Sequence, residues 1–318
     1  MIISCYISIG LAESPLRVGF YNTTCPDAES IVRSFVRDAA DFNPRVPAFL
    51  LRLHFHDCFV QGCDGSILID NGPISEKLAD GHQGLKGFDV IENVKSQLEF
   101  VCPGVVSCAD IVAIAARDAV AFSFGPFYEV ETGRRDGFVS NRSLADTMPD
   151  FRDSIHLLKH KFFEKGLDEK DLVVLSGAHT IGTTACFFLM DRLYDFPPRG
   201  GPDPSIDPDF LPELLETCPP NGDINFRLPI DHNSVETFDI RILENIRNGF
   251  AVLQSDAKLM DDSVTKGIVD SYFGFSNRSV KRPSFEADFV NSMVKMGRIG
   301  VKIGPKRGEI RRVCNMFN

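Results

Sequence analysis

The 318-residue chain contains no tryptophan, so no indole is available anywhere to relay an electron to the surface. Basic runs are missing as well: 34 Lys+Arg stand against 44 Asp+Glu, a net charge of -10, and no basic patch is interleaved with aromatics. That balance excludes nucleic acid as a partner. Beyond the first twelve residues no apolar run approaches the ~20 residues that cross a bilayer, so no membrane partner is expected. Internal repeats and low-complexity tails are also absent.

What is present suits a globular protein. Hydrophobic residues make up 43% of the chain, enough for a sizeable core, and the length lies near the point where one core tends to split. One unit with two lobes is expected, with the seam near "DTMPDF", residues 146–151. The start, "MIISCYISIGLA", ends in a small residue before polar "ESPLR", like the apolar part of a secretory signal lacking its basic beginning. A frayed apolar terminus is the other reading. Cys5 falls inside this segment, leaving eight cysteines, consistent with four bridges in an oxidising compartment or with buried thiols in a reducing one. Sequons at Asn22, Asn141 and Asn277 lean toward secretion.

Apolar residues recur at helical spacing in "AESIVRSFVRDAA", "FDVIENVKSQLEFV", "CADIVAIAARDAV", "DSIHLLKHKFFEKG", "ETFDIRILENI" and "FEADFVNSMVKMG". Asp153 is positioned to cap the fourth of these, which ends at Gly166. Strand-like alternation is confined to "FYEVET". The chain therefore reads as all-α with a minor short β-hairpin. Two stretches, 71–87 and 195–210, are too rich in Gly, Pro and Asp for helix, and the second reads as a surface excursion.

The densest chemistry lies in "RLHFHDCFVQGCDGS", residues 52–66. On a helix, Arg52 and His56 share a face one turn apart, whereas His54 points elsewhere and cannot join His56 on one metal. A fixed positive charge beside a group that titrates near neutrality suits a small reactant whose bond breaks with charge developing on one atom. The same pair on a solvent-facing helix would do nothing. After it, Asp57, Asp64 and Ser66 alternate with Gly62 and Gly65, hard oxygens in a relaxed loop that suit calcium, or a plain acidic loop. Downstream, "LVVLSGAHTIG" sets His179 after a short apolar helix. "DHNSVETFD" adds Asp231, Ser234, Thr237 and Asp239, and Asp256 offers a carboxylate of the kind that orients metal-bound imidazoles.

Together with "YNTTCPDAESIV", "CPGVVSCADIVAIAARDAV", "TGRRDG" and "DRLY", these stretches closely resemble the secretory (class III) plant peroxidases, from about Arg17 to Cys314. The resemblance implies the two-lobed haem peroxidase fold, with haem between a distal lobe (residues 13–150) and a proximal lobe (151–318), while residues 1–12 are expected to be a truncated signal. It implies that His56 is the distal acid-base, Arg52 its charge-stabilising partner and Phe55 a screen over the iron. His179 would ligate the iron, with Asp256 accepting its other ring proton. Non-covalent haem b is implied, since no C-x-x-C-H site is present.

The resemblance also implies two calcium ions. One would be held by Asp57, Val60, Gly62, Asp64 and Ser66, with Glu76 one water further out; the other by Thr180, Asp231, Ser234, Thr237 and Asp239. The implied bridges are Cys25 to Cys102, Cys58 to Cys63, Cys108 to Cys314 and Cys186 to Cys218. Hydrogen peroxide would be the oxidant, with small phenolic reductants oxidised one electron at a time at a haem edge near Pro149 and Phe188. A secreted monomer of the extracellular space or cell wall is expected, because only four residues follow Cys314 and vacuolar members tend to be extended.

The chain departs from the family at several points. His82 replaces the asparagine that accepts the distal histidine's Nδ1 proton, which predicts an extra ionisation in peroxide activation if the two rings are hydrogen-bonded, or none if His82 turns to solvent. Tyr128 stands where tryptophan is usual, Ser234 where threonine is, and Asp136 to Pro149 is one residue short. Two other functions compete: a metal-dependent hydrolase built on the H-x-H of "HFHD", and a non-catalytic haem- and calcium-binding protein spoiled by His82.

Overall fold

A computed structural model describes residues 16–232, 234–274 and 282–318. The apolar start at 1–12, Cys5 and the sequon at Asn277 lie outside the described residues. Helices dominate: α1 (Ala28–Phe42), α2 (Val46–Val60), α3 (Phe88–Val101), α4 (Cys108–Phe122), α5 (Ile155–Glu164), α6 (Glu169–Ser176), α7 (Met190–Tyr194), α8 (Leu211–Thr217), α9 (Arg241–Arg247), α10 (Gln254–Ala257), α11 (Ser263–Ser271) and α12 (Phe285–Met296). Stretch 71–87 resolves into short 3-10 turns, the last being Asp80–His82.

The helix α4 shows how sequence becomes core. Ser107 caps it, its hydroxyl accepting from the Asp110 N–H, and Ile111 and Ile114 are buried among its alanines. Each such isoleucine contributes about 1.5–3 kcal/mol by leaving water. The small alanines let α1 and α2 pack closely against it. Its charges are buried only in company: Arg117 Nε meets Asp118 at 2.7 Å, and Asp110 takes Arg134 at 2.8 Å and the Tyr21 hydroxyl at 2.6 Å. Buried Tyr128 sits beside this network, its carbonyl accepting from Arg117. One apolar cluster runs from Tyr21 to Cys314 and takes residues from both sides of position 150, while a smaller one, including Cys186, Ile206, Phe210 and Val252, lies under the 195–210 stretch.

Four sequence expectations are corrected. Among the described residues no β-hairpin forms; instead β1 (Arg17–Val18) pairs with β2 (Glu131–Thr132), and β3 (Thr183–Ala185) with β4 (Arg227–Pro229), each antiparallel between distant segments. Asp153 does not cap α5. Ser154 does, accepting from Leu157, while Asp153 accepts from the Asp150 N–H and pairs with Lys161 at 2.7 Å. The "ETFD" residues stay outside α9 because their backbone bends toward neighbours, Phe238 N–H donating to Ser123 at 2.7 Å and Asp239 N–H to the Thr180 hydroxyl. Finally, 195–210 is irregular yet anchored, since Asp203 pairs with buried Arg192 at 2.8 Å and Ile206 and Phe210 enter the smaller core.

All eight described cysteines are joined, as Cys25–Cys102, Cys58–Cys63, Cys108–Cys314 and Cys186–Cys218. Behind the second bridge, Gly62 (φ +117°) and Gly300 (φ +55°) cross so closely that a β-carbon on Gly62 would stand 2.5 Å from the Gly300 Cα. Only glycine permits that approach. Among the described residues no helix is long and apolar enough to cross a membrane.

Candidate active site

The face of α2 carries Arg52 and His56 one turn apart. The His56 imidazole is buried, edge-on to Phe55 at 5.4 Å and to His82 at 4.9 Å between ring centres, and its Nδ1 has no hydrogen-bond partner. Burial first, then the charges of Arg52 and His82, hold it well below the usual imidazole range, so it is neutral at pH 7 and free to accept a proton. Arg52 donates to the Gln83 carbonyl at 3.3 and 3.4 Å. His54 faces away, 3.6 Å from Cys58 Sγ, and burial and then Arg134 push it down to about 3. The two histidines of "HFHD" therefore do not converge. Among the described residues no three His, Cys, Asp or Glu side chains gather to hold a metal by themselves, which leaves the hydrolase reading without a ligand set.

His179 lies where α6 tightens into the 3-10 turn Gly177–Thr180. A β-carbon on Gly177 would meet Phe285 at 2.6 Å, so the glycine lets this turn lie close against α12. The His179 Nδ1 donates to both oxygens of Asp256, at 2.9 and 3.0 Å, from a carboxylate that is itself buried in α10. Burial lowers the imidazole's affinity for a proton, but Asp256 outweighs it and the net shift is upward. The side chain nevertheless keeps 37% of its surface open. The Arg52 charge reaches it and opposes that rise, so the face of α2 and the turn at His179 share one electrostatic neighbourhood.

His82 is where structure and expectation part. It is buried rather than turned to solvent, but it does not accept from His56. Its Nδ1 donates to the Glu76 carbonyl at 2.8 Å and its Nε2 lies 3.0 Å from Met148 Sδ. With one nitrogen committed to a carbonyl and the other against sulfur, the ring stands beside His56 without bonding to it. Burial is the main reason it is pushed down to about 4, with the Glu76 carbonyl opposing and Arg52 assisting.

Met148 leads into Pro149, and two residues further Phe151 packs edge-on against Phe188 at 5.0 Å, which in turn meets Phe187 at 5.2 Å. Arg152 covers the Phe151 ring at 4.7 Å and pairs with Asp191 at 2.8 Å. Sequence reasoning missed Phe151, Phe187 and Arg152, although phenylalanines within two residues of the two expected contacts were a visible signal. It also missed the Gln83 carbonyl and Met148, for which no side-chain pattern existed.

The oxygen-rich loops differ in how far they are already satisfied. Around α2's end, Asp57, Ser66 and Glu76 are buried with Asp57 Oδ1, Ser66 Oγ and both Glu76 oxygens unpartnered. Burial and then mutual repulsion raise Asp57 far and Glu76 to about 9; burial also raises Asp64, against the pull of Lys302. Buried acids with idle oxygens fit a hard cation that draws its remaining ligands from carbonyls. Val60 fits less well, because its carbonyl already accepts from Lys165 Nζ at 2.8 Å. In the second loop, Thr180 Oγ1 donates to Asp231 at 3.2 Å, Ser234 Oγ to the Thr237 carbonyl at 3.1 Å, and Asn245 to Asp231 at 2.6 Å. Asp231 is raised to about 7, chiefly by burial.

Residues 32–274 match the family profile described as Peroxidase. The chain is similar to Peroxidase 43 of Arabidopsis thaliana, 62% identical over 98% of this chain and 95% of that one. It is likewise similar to Peroxidase 13 of the same plant, at 54% over 98% and 95%, and to Peroxidase N1 of Nicotiana tabacum, at 52% over 95% and 90%.

Proposed function

The chain belongs to the plant class III haem peroxidase family and is a peroxidase that uses hydrogen peroxide; on that premise we propose which of its residues do the work. Haem, which His179 would hold through Nε2, supplies the iron and conjugated ring that take up the oxidising equivalents of the peroxide and return them singly to donors. His56 takes the proton from one peroxide oxygen and delivers it to the other, so that water leaves. Arg52 stabilises the negative charge that grows as the O–O bond parts. Phe55 excludes bulkier reactants from that side. Asp256 keeps the His179 Nδ1 proton in place and makes the imidazole a stronger donor. The observation that carries this reading is the pairing of a buried, neutral His56 beside Arg52 with an Asp256-bound, partly open His179 that the Arg52 charge reaches.

The finer assignments follow from the same premise. The donors are small phenols admitted beside Pro149 and Phe188, where the Phe151–Phe188–Phe187 contacts offer aromatic faces. Two calcium ions occupy the loops at 57–76 and 180–239, the lobes meet near residue 150, and the protein acts as a monomer in the cell wall or extracellular space. Mixing haem-loaded protein with peroxide in a stopped-flow spectrometer tests the core of this. Wild type should react and then oxidise guaiacol, whereas His56→Leu should react at least a hundredfold more slowly; equal rates would remove His56 from the reaction.

A further inference from the structure

Arg45, Arg52 and Arg227 lie on two segments that pack together, the first half of α2 with its preceding residue and the β3–β4 pair. Arg45 precedes α2 and Arg52 follows two turns along the same face. The chain entering β3 lies against the turn between them, since a β-carbon on Gly182 would stand 2.8 Å from the Cβ of Ala48. Arg227 is the partner of Ala185 across the β3–β4 pair. Its guanidinium is fixed in direction, Nε donating to the Thr183 hydroxyl at 3.1 Å and Nη2 to the Thr183 carbonyl. Electrostatics agree with this placement: burial and then Arg45 lower Arg227, while burial and then Arg227 lower Arg52 to about 10. Among the described residues the partners of Arg52 and Arg227 are carbonyls and a hydroxyl, never an acid. Like charges held together favour an anion among them.

We infer that Arg227, clamped by Thr183 and flanked by Arg45, grips a carboxylate on the Arg52 side of α2, and that this carboxylate is a propionate of the haem. The inference rests on the haem reading above. Haem is a flat dicarboxylate whose ring gains by burial and whose two acid groups lose by it unless they are paired. An exposed, directed guanidinium beside a half-buried one satisfies both needs. Arginine suits the task because its planar donors can meet both oxygens of one carboxylate. A phenolic donor bearing a carboxylate is the other source of the same chemistry.

The test compares haem loss to excess apomyoglobin from holoprotein carrying ordinary haem or haem dimethyl ester, whose acid groups are masked. With ordinary haem, Arg227→Leu should lose it about tenfold faster or more, with Arg227→Lys in between. With the diester, wild type and both variants should lose it at one rate. Equal rates with ordinary haem would overturn the inference, as would the same acceleration with the diester. So would unchanged haem loss combined with a higher KM for a carboxylated phenol but not for its methyl ester, because Arg227 would then serve the donor. If wild-type protein takes up haem without a Soret band of a histidine-ligated iron, the haem reading itself fails, a result distinct from all of these.

Discussion

Withdrawing the calcium proposed for the loop at 57–76 should make stability fall as pH rises, and Glu76 gives the size of one part of the effect. Its carboxyl is buried, both oxygens lack partners, and burial with the Asp57 charge raises it from 4.5 to about 9. Without a cation the folded protein at pH 7 therefore holds a proton that the unfolded chain has released. An acid raised on folding costs stability above its unfolded pKa, and here the cost grows from pH 4.5 upward, reaching about 3 kcal/mol at pH 7 at 1.36 kcal/mol per unit. Calcium binding must expel that proton, so apparent affinity should drop about tenfold for each pH unit below the raised pKa. Urea unfolding with and without a calcium chelator, at pH 5 and 7.5, measures the first effect. Titration calorimetry in buffers of different ionisation enthalpy counts the proton. The calcium-free protein should be the less stable at pH 7.5, the loaded protein should show a much smaller difference, and Glu76→Gln should lessen the calcium-free slope, leaving the part that Asp57 and Asp64 contribute. A flat chelated profile with no proton released would refute the reasoning.

The other predictions concern the two histidine neighbourhoods and the longest bridge. His56 is held well below the usual imidazole range and His82 sits at about 4, so the acid limb of the peroxide reaction should lie well below that range; an acid limb centred above pH 6 in stopped-flow rates would contradict this. His82→Asn should supply an acceptor for the orphaned His56 Nδ1 and speed that reaction several-fold, one hydrogen bond being worth about 1 kcal/mol; a slower variant would show that the His82 ring is needed where it stands. Asp256→Asn should raise the haem reduction potential, read by spectroelectrochemistry, because it removes the charge that strengthens His179 as a donor. Replacing Cys108 and Cys314 together by alanine opens a loop of 206 residues and should cost about 5 kcal/mol on the chain-entropy model, seen as a lower unfolding midpoint.

Much of this protein is legible from local pattern. Helical spacing marked α1, α3, α4 and α12, since an amphipathic or fully apolar turn repeats whatever surrounds it. Four-residue spacing put Arg52 and His56 on one face, and two-residue spacing kept His54 away from His56, because both follow from the helix itself. The closeness of "RLHFHDCF" and "LSGAHTIG" to a known family carried the rest of the expected chemistry.

Contacts between distant segments were not legible in the same way. Whether Ser154 or Asp153 caps α5 depends on Lys161 claiming the aspartate, and the strands chose partners more than forty residues away rather than forming a hairpin. His82 could have bonded to His56 or met solvent; the Glu76 carbonyl and Met148 decided between them by occupying both of its nitrogens. Arg227 carried no signal in "NFRLPID", and only the packing of Gly182 on Ala48 brings it toward Arg45 and Arg52. The sequence by itself determined which side chains share a helix face, because the backbone repeat is a property of neighbours along the chain. Tertiary structure alone decided which buried atoms found partners, because burial and pairing belong to residues that meet only after the chain has closed.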